Sequence, residues 1–259
     1  MRADESSTTA QRVAAQRLTF ERVAVPYGDP AADDRLARDV AGSIGGATGP
    51  LTRYLAGRTA FFDRVVVDAL DAGIDQVVVL AAGYDGRSMR FAKPGTRWFE
   101  IDHPATQRDK LERLERLGIT SQALFAPADF TFDDVSITLE RVGHQADRPT
   151  LFLCEGVAVY LDPPVLERLV RSARARAANG SRLAISLSVP GANEEQRRVF
   201  QESVAQVGEP ARNVLTPDDA AGLFESTGWR AVGSAGSAAR VRDAGFVLLE
   251  PEPAGRVGS

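Results

Sequence analysis

The sequence predicts a doubly wound α/β domain with a mostly parallel sheet, preceded by an N-terminal helical cap. Two patterns predict this fold. Short apolar segments alternate with helical stretches from residue 75 onward, and residues 76–82 form a continuous apolar run typical of a strand buried on both faces of a parallel sheet. The 259 residues are 44% hydrophobic, which suits one sizeable core. We therefore expect a single domain over residues 1–259, divided into a cap (1–74) and an α/β core (75–259).

The cap is predicted to contain two helices separated by irregular chain. Residues 9–22 have an amphipathic helical pattern, and the prolines and aspartate of residues 26–30 are expected to break the chain. Residues 42–50 are rich in glycine and are predicted to form a loop. The second helix is predicted from residue 59 to about 72, with its apolar side chains on one face.

The core is predicted to alternate strands and helices. Strands are expected at residues 76–82, 97–102, 123–127, 150–154, 182–188 and 245–250, with a weaker pattern at 123–127 than at 150–154. Proline suits the first position of a helix, so helices are expected to begin at Pro104 and near Pro163. Two more helices are predicted at about 192–206 and 217–227.

Composition argues against several classes of protein. The net charge is −4, whereas a nucleic-acid-binding surface normally leaves a basic excess. No apolar run approaches the roughly 18–20 residues of a membrane span, and the polar start has no secretory apolar region, so we expect a cytoplasmic protein without a membrane partner. Cys154 is the only cysteine, and His103 and His144 lie far apart in sequence, so no metal site is expected.

Several catalytic motifs are absent from the sequence. It contains no GxxxxGK[ST] loop and no GxSxG elbow, which argues against P-loop NTPases and α/β-hydrolases. It also lacks GxGxxG, which argues against a nicotinamide dehydrogenase.

Glycine and polar residues follow successive predicted strands. Gly83 follows the first strand, and Asp102 ends the second, nineteen residues later, at a spacing that lets an acid bind ribose hydroxyls. Asp129 and Phe130 follow the third strand and offer adenine a polar acceptor and an apolar contact, while Glu155 ends the fourth. Because ligands of such sheets bind at the carboxyl ends of the strands, this order predicts a nucleoside site.

Each of these residues also has a structural interpretation. Gly83 could serve only a turn, an acid at a strand end could cap a helix, and the Asp129-Phe130 pair could be a turn followed by a core anchor. The succession of all of them at neighbouring strand ends favours the nucleoside site.

Six stretches carry a family resemblance: Ser7-Thr-Thr-Ala-Gln-Arg-Val-Ala-Ala15, Arg58-Thr59 with Asp63, Val78-Val-Leu-Ala-Ala-Gly-Tyr-Asp-Gly-Arg87, Phe99-Glu-Ile-Asp-His-Pro104 with Lys110, Asp129-Phe130, and Pro149-Thr-Leu-Phe-Leu-Cys-Glu-Gly-Val-Ala-Val-Tyr-Leu161. Together they resemble the leucine carboxyl methyltransferase superfamily, in particular its bacterial branch with polyketide carboxyl O-methyltransferases. The resemblance fades after about residue 165. It implies the seven-stranded Rossmann-like sheet of class I methyltransferases and S-adenosylmethionine (SAM) as the cofactor, with S-adenosylhomocysteine (SAH) as product.

The resemblance also implies roles for individual residues. Arg58 would pair with the methionine carboxylate of SAM, although a surface salt bridge to a neighbour such as Asp63 is an alternative. Asp102 would hold the ribose, and Glu155 would lie near the amino group or sulfonium. The full implied cofactor-binding set is Arg58, Ala82, Gly83, Asp85, Asp102, His103, Asp129, Phe130, Glu155 and Gly156. The chain departs from the family at Ala81, where glycine is common, and at Gly86, where threonine or serine is usual.

The chemistry of methyl transfer mildly favours a carboxylic acid as the acceptor. A carboxylate, with a reference pKa near 4, is already ionised at neutral pH, whereas a phenol with a pKa near 10 would benefit from a base. His103 is the best-placed candidate base, although its position at the start of a helix suggests a cap. Tyr160 and His103 are the candidate catalytic residues, and Tyr160, residues 188–190 and parts of residues 20–57 are expected to bind the acceptor.

The expected partner is a small-molecule carboxylic acid or aromatic acceptor, and no oligomeric state is predicted. Three alternatives remain open from the sequence. The enzyme could methylate a phenol, the fold could be repurposed for a non-methylating reaction such as a cyclisation, or the chain could be a SAM-binding module.

Overall fold

The computed structural model describes residues 6–42, 50–187, 212–233 and 245–253. Its strands are β1 Gln76–Leu80, β2 Arg97–Asp102, β3 Leu124–Pro127, β4 Thr150–Cys154, β5 Arg182–Ser186, β6 Trp229–Ala231 and β7 Phe246–Pro251. Its helices are α1 Thr8–Arg17, α2 Pro30–Gly42, α3 Pro50–Asp71, α4 Arg87–Arg90, α5 Pro104–Arg116, α6 Val135–Arg141, α7 Pro163–Ala175 and α8 Pro217–Ser226, with a 3₁₀ helix over Ala158–Tyr160. Among the described residues, no helix is both long enough and apolar enough to cross a bilayer.

The seven strands form one sheet in the order β3-β2-β1-β4-β5-β7-β6. Strands β1 to β5 pair in parallel, and β7 runs antiparallel to both β5 and β6. The mostly parallel, doubly wound sheet predicted from the sequence is therefore confirmed. The strand order reverses beside β1, whose neighbours are β2 and β4, so a crevice opens where the loops after β1 and β4 diverge.

Both faces of the sheet are buried, which explains the apolar run of β1. Val78 points into a core cluster that includes Leu169 of α7. Val77 and Val79 point to the opposite face, into a cluster that includes Val66 of α3. Consecutive strand residues face opposite sides, so a strand covered by helices on both sides must be apolar throughout.

Three helical boundaries in the cap differ from the prediction. Helix α1 ends at Arg17 instead of residue 22. The predicted chain break is confirmed, since residues 18–29 between the two helices are not helical. Helix α2 beyond it was not predicted: the Asp29 carboxylate accepts the Ala32 N–H at 2.9 Å, and Pro30 occupies the first helical position. Helix α3 begins at Pro50, nine residues before the predicted start.

Burial explains the early start of α3. Leu55, Arg58 and Phe62 are all buried and share one face of the helix, at a spacing of three and four residues. This face packs inward although Gly57 interrupts the helical pattern of the sequence. The short helices α4 and α6 were not predicted, and the predicted helix at 192–206 lies outside the described residues.

Candidate functional site

A cavity of about 1080 Å³ opens at the carboxyl ends of the first four strands. Its wall is formed by the residues that follow these strands, by α1, and by Arg58 of α3. The predicted site residues on this wall are Arg58, Ala82, Gly83, Asp102, His103, Asp129, Phe130, Glu155, Gly156 and Tyr160. The structure therefore brings together residues that are up to about a hundred positions apart in the sequence.

Gly83 forms the turn after β1 in a conformation that favours glycine. Its φ is 51°, and a Cβ atom built on it would lie 2.9 Å from the Cβ of Ala10 in α1. Its N–H donates to the Asp102 carboxylate. Gly83 thus serves a turn, as its structural interpretation proposed, and it also lets α1 close over the cavity.

The two departures from the family pattern have structural consequences in this loop. Ala81 has a φ of 55°, a left-handed conformation that explains why glycine suits this position. At Gly86, a Cβ atom would lie 1.9 Å from Oδ1 of Asp33, so the approach of α2 leaves no room for a side chain.

Asp102 has both oxygens directed by backbone donors. One oxygen accepts the Gly83 N–H, and the other accepts the His103 N–H at 2.6 Å. Burial raises the pKa of Asp102 to about 6, and the two backbone hydrogen bonds only partly oppose this effect. Each carboxylate oxygen can accept a further hydrogen bond, so the group can serve two hydroxyls of a ribose.

Asp129 and Phe130 combine the two interpretations considered for them. Asp129 Oδ1 accepts the Thr131 N–H at 2.8 Å in a turn, and Phe130 packs against the main core cluster. Both residues also line the cavity. Arg168 Nη2 donates to the carbonyl oxygens of Phe130 and Thr131, at 2.7 and 2.8 Å, and so ties the turn to α7.

His103 caps helix α5. Its Nδ1 accepts the Ala105 N–H at 3.3 Å, and its Nε2 lies 3.9 Å from Asp129 Oδ2. In a neutral ring whose Nδ1 accepts a hydrogen bond, the proton is on Nε2. The Nδ1 lone pair, which a general base would need to accept a proton, is already used by the Ala105 N–H. The geometry therefore favours a helix-capping role for His103.

Glu155 is surrounded by three arginines. Its carboxylate accepts hydrogen bonds from Arg58 Nε at 3.0 Å, Arg17 Nη2 at 3.2 Å and Arg87 Nη1 at 2.5 Å. Burial alone would raise the pKa of Glu155, but the charges of Arg87, Arg17 and Arg58 outweigh it and hold the pKa well below its usual range. The group is therefore a carboxylate at any physiological pH.

The proposed alternative for Arg58, a surface salt bridge to Asp63, is wrong. Arg58 is buried and bonds to Glu155. Asp63 is bonded instead by Arg22 Nε at 2.6 Å and Arg87 Nε at 2.8 Å. The helix places Arg58 and Asp63 five residues apart, on different faces, whereas tertiary packing brings Arg22 and Arg87 to Asp63.

Gly156 makes room for the Arg58 guanidinium. Its φ is 73°, and a Cβ atom there would lie 2.9 Å from Arg58 Nη1. Its N–H donates to Ser186 Oγ at 2.7 Å, which fixes the turn after β4 to β5.

Asp85 is the predicted cofactor-binding residue that the structure does not place on the cavity wall. Its Oδ1 accepts the Arg87 N–H at 2.8 Å, and its Oδ2 bonds to Arg87 Nη1 at 2.5 Å and faces Arg17 Nη2 at 3.5 Å. The side chain is turned toward these two arginines because they neutralise it where it is buried. Direct contact with a cofactor would require it to leave them.

Sequence reasoning gave no role to three largely buried cations beside the site, Arg17, Arg87 and Lys110. Arg17 lies just beyond the matched stretch that ends at residue 15, yet it lines the cavity. Arg87 is fully buried and belongs to a matched stretch, but it received no role. Lys110, also fully buried, donates to the Asp85 carbonyl at 2.6 Å and to the Glu100 carboxylate at 2.5 Å beneath the β1 loop. Glu100 inside the apolar strand β2 was the signal that could have revealed Lys110, because a buried carboxylate requires a cation beside it.

Of the residues predicted to bind the acceptor, the structure places Tyr160 on the cavity wall but not those of the cap. Tyr160 lines the cavity from the 3₁₀ helix. No described residue in the range 20–57 lines it, because α2 packs against α1 and α4, whereas α1 itself forms the wall. Residues 188–190 lie outside the described part of the chain.

Comparisons of the sequence with known proteins identify relatives of this chain. The family profile described as leucine carboxyl methyltransferase matches residues 10–174, more than half of the chain. A relative from Mycobacterium avium (strain 104), named "Putative S-adenosyl-L-methionine-dependent methyltransferase", is 38% identical over 184 residues; the alignment covers 68% of this chain but only 59% of the relative. A relative of the same name from Mycobacterium sp. (strain KMS) is 33% identical over 228 residues, which cover 78% of this chain and 74% of the relative.

Solved structures share the fold. A protein from Thermobifida fusca YX described as a "putative methyltransferase" superposes with a TM-score of 0.60 at 19% identity, covering 94% of each chain. A DUF574 family protein from Streptomyces avermitilis MA-4680 also reaches a TM-score of 0.60, at 20% identity and 96% coverage of this chain and 99% of that chain. The extent of the profile match, together with the identity to the mycobacterial relatives, shows that this chain belongs to the leucine carboxyl methyltransferase family.

Proposed function

We propose that the protein is a SAM-dependent O-methyltransferase whose acceptor is a carboxylic acid of a small, partly apolar molecule, such as a polyketide-like natural product. One observation carries the proposal. A single cavity at the switch point of the sheet joins a carboxylate suited to a ribose, Asp102, with an arginine pair suited to an amino-acid carboxylate, Arg17 and Arg58.

The nucleoside half of SAM fits the β2 and β3 ends of the cavity. Asp102 has free acceptor capacity on both oxygens for the ribose hydroxyls. Asp129 and Phe130 would flank the adenine, with Phe130 supplying apolar contact to the ring. His103 would form the wall between them while it caps α5.

The methionine half of SAM carries both a carboxylate and an ammonium group. Arg58 and Arg17 would bind the carboxylate, because a guanidinium offers several parallel donors to it. Glu155, held ionised between the same arginines, would face the ammonium group. Ala82 and Gly83 would supply the close backbone surface between the two halves.

When bound, SAM would supply an electrophilic methyl group on a sulfonium: an acceptor oxygen would attack the methyl carbon in line with the sulfur, the C–O bond would form as the C–S bond breaks, and the sulfur would keep that electron pair in SAH. The protein's part is to align the acceptor and exclude water. Helix α1 contributes to exclusion, since Ala10 packs directly against the Gly83 turn. A carboxylate acceptor needs no general base, which agrees with a His103 lone pair used in capping.

Calorimetric titration with SAH, followed by an assay of SAH formation from SAM with a panel of aromatic and aliphatic carboxylic acids, tests this function. We expect micromolar SAH binding and methyl-ester formation with at least one class of acid. Failure to bind SAH would refute the cofactor assignment. SAH binding without any ester, but with methylation of phenols or with no transfer at all, would instead support the phenol or the non-methylating alternative.

A further inference from the structure

The cavity is lined by further residues besides those assigned to SAM. Its volume of about 1080 Å³ is slightly above the roughly 300–1,000 Å³ of pockets that hold one drug-sized ligand, which leaves room for a small acceptor beside the cofactor. Beyond the residues assigned to SAM, the loop after β4 contributes Val157, Tyr160 and Leu161, which are largely apolar. Arg212 completes this part of the wall.

The backbone of Arg212 is fixed to that loop. The N–H groups of Arg212 and Asn213 both donate to the Val159 carbonyl, at 2.8 and 3.1 Å. Arg212 is therefore positioned by the same 3₁₀ helix that presents Tyr160, although it lies some fifty residues later and beyond the stretches that resemble the family.

The side chain of Arg212 is held far more loosely than those of Arg17 and Arg58. Arg17 and Arg58 are 9% exposed and bonded within the buried ionic cluster. The Arg212 side chain is 51% exposed, and its Nη1 lies 3.3 Å from Asp162 Oδ2, whose side chain is 57% exposed. An exposed ion pair of this kind contributes little to stability, so a ligand carboxylate can replace Asp162 at little cost.

We propose that Arg212 is a specificity-determining residue that binds the carboxylate of the acceptor, with the acceptor's apolar body against Val157, Tyr160 and Leu161. This inference rests on the proposed function and adds the residue that selects acidic over neutral acceptors. The Asp162 carboxylate pairs with the Arg212 guanidinium and so competes with the acceptor's carboxylate for it.

The test uses 2-naphthoate and its neutral analogue 2-naphthamide as probes, titrated calorimetrically with and without saturating SAH. For the wild-type protein we expect the acid to bind at least tenfold more tightly than the amide. Arg212→Gln should abolish this preference, and Asp162→Asn should strengthen acid binding by removing the competitor. Arg171→Gln is the matched control, because Arg171 is 56% exposed and paired with Glu167 on α7 away from the cavity.

Different measurements would contradict the proposed function and the role of Arg212. SAH affinity should be unchanged in Arg212→Gln, and absence of SAH binding to the wild-type protein would contradict the proposed function. An acid that binds no better than the amide, no binding of either probe, or a preference that survives Arg212→Gln would each overturn the role of Arg212.

Discussion

At the scale of single residues, the loop after β1 shows what close packing demands. Ala81 is the one described non-glycine residue with a positive φ, and Gly83 directly faces α1. A residue with a Cβ in the left-handed region costs roughly 1 kcal/mol relative to a relaxed conformation. The strain sits beside Asp102, where the cofactor's ribose is proposed to bind.

Ala81→Gly is expected to stabilise the fold by up to about 1 kcal/mol, because glycine relieves the left-handed strain. Ala82→Gly is the control, since Ala82 has a negative φ and should lose about 0.5–1 kcal/mol through the entropy of the unfolded chain. Urea denaturation of the two variants measures both effects. Equal losses in the two variants would show that Ala81 is not strained.

Asp102 should make cofactor binding depend on pH. Its pKa of about 6 means that it is a carboxylate at pH 7.5 and is protonated as the pH falls through 6. Protonation removes acceptor capacity for the ribose hydroxyls, so the Kd for SAH should be constant above pH 7 and rise toward pH 5. In Asp102→Asn, binding should be weaker throughout and this rise should disappear. Calorimetry from pH 5 to 8 would reveal a flat wild-type profile if Asp102 does not contact the cofactor.

At the scale of elements, α5 supports the site from below. It is capped by His103 at the cavity wall, and about two turns later Lys110 reaches the carbonyl of Asp85 and the carboxylate of Glu100. Ser88 Oγ donates to the other Glu100 oxygen at 2.6 Å. This buried pair links α5, β2 and the loop after β1.

Lys110→Met is expected to destabilise the fold by about 3 kcal/mol, because it leaves Glu100 buried without its cation. Lys93→Met is the matched control: Lys93 is the other lysine of the sequence, its side chain is 36% exposed, and its loss should cost less than about 1 kcal/mol. Denaturant unfolding gives both values. The double variant Lys110→Met with Glu100→Gln should recover part of the loss, and no recovery would argue against the ion pair as its cause.

At the scale of the whole molecule, a buried ionic network joins the cap to the sheet. Arg22 and Arg87 share Asp63, and Arg17 and Arg87 share Glu155. These contacts connect α1, the chain after it, α3, α4 and the loop after β4. The cap is therefore attached to the wall of the cavity through charges as well as through apolar packing.

Arg17→Ala is expected to weaken SAH binding at least tenfold while the fold persists, because Arg58 and Arg87 still neutralise Glu155. Arg38→Ala is the control on the cap, since Arg38 is 65% exposed and paired only loosely with Asp34 at 3.9 Å. Calorimetry with SAH and a thermal melt of each variant separate binding from folding. Unchanged SAH affinity in Arg17→Ala would remove Arg17 from the cofactor site.

The sequence by itself determined the alternating strands and helices, the cavity edge and most of its wall. Hydrophobic periodicity is local, and parallel strands place their carboxyl ends at one edge, so Gly83, Asp102 and Glu155 could be assigned together from their positions after strands. The break before Pro30 was predicted correctly, but helix α2 was missed because a proline that interrupts a helical pattern can also begin the next helix.

Only the tertiary structure decided which charges meet. Arg17 and Glu155 lie 138 residues apart and Arg58 and Glu155 lie 97 apart, and no local pattern specifies such pairs. The same packing directs the Asp85 carboxylate toward Arg87 and away from the cavity. It also places Arg22 and Arg87, and not Arg58, against Asp63. An ion pair depends on the distance between two side chains after folding, and that distance is set by how helices and sheet pack.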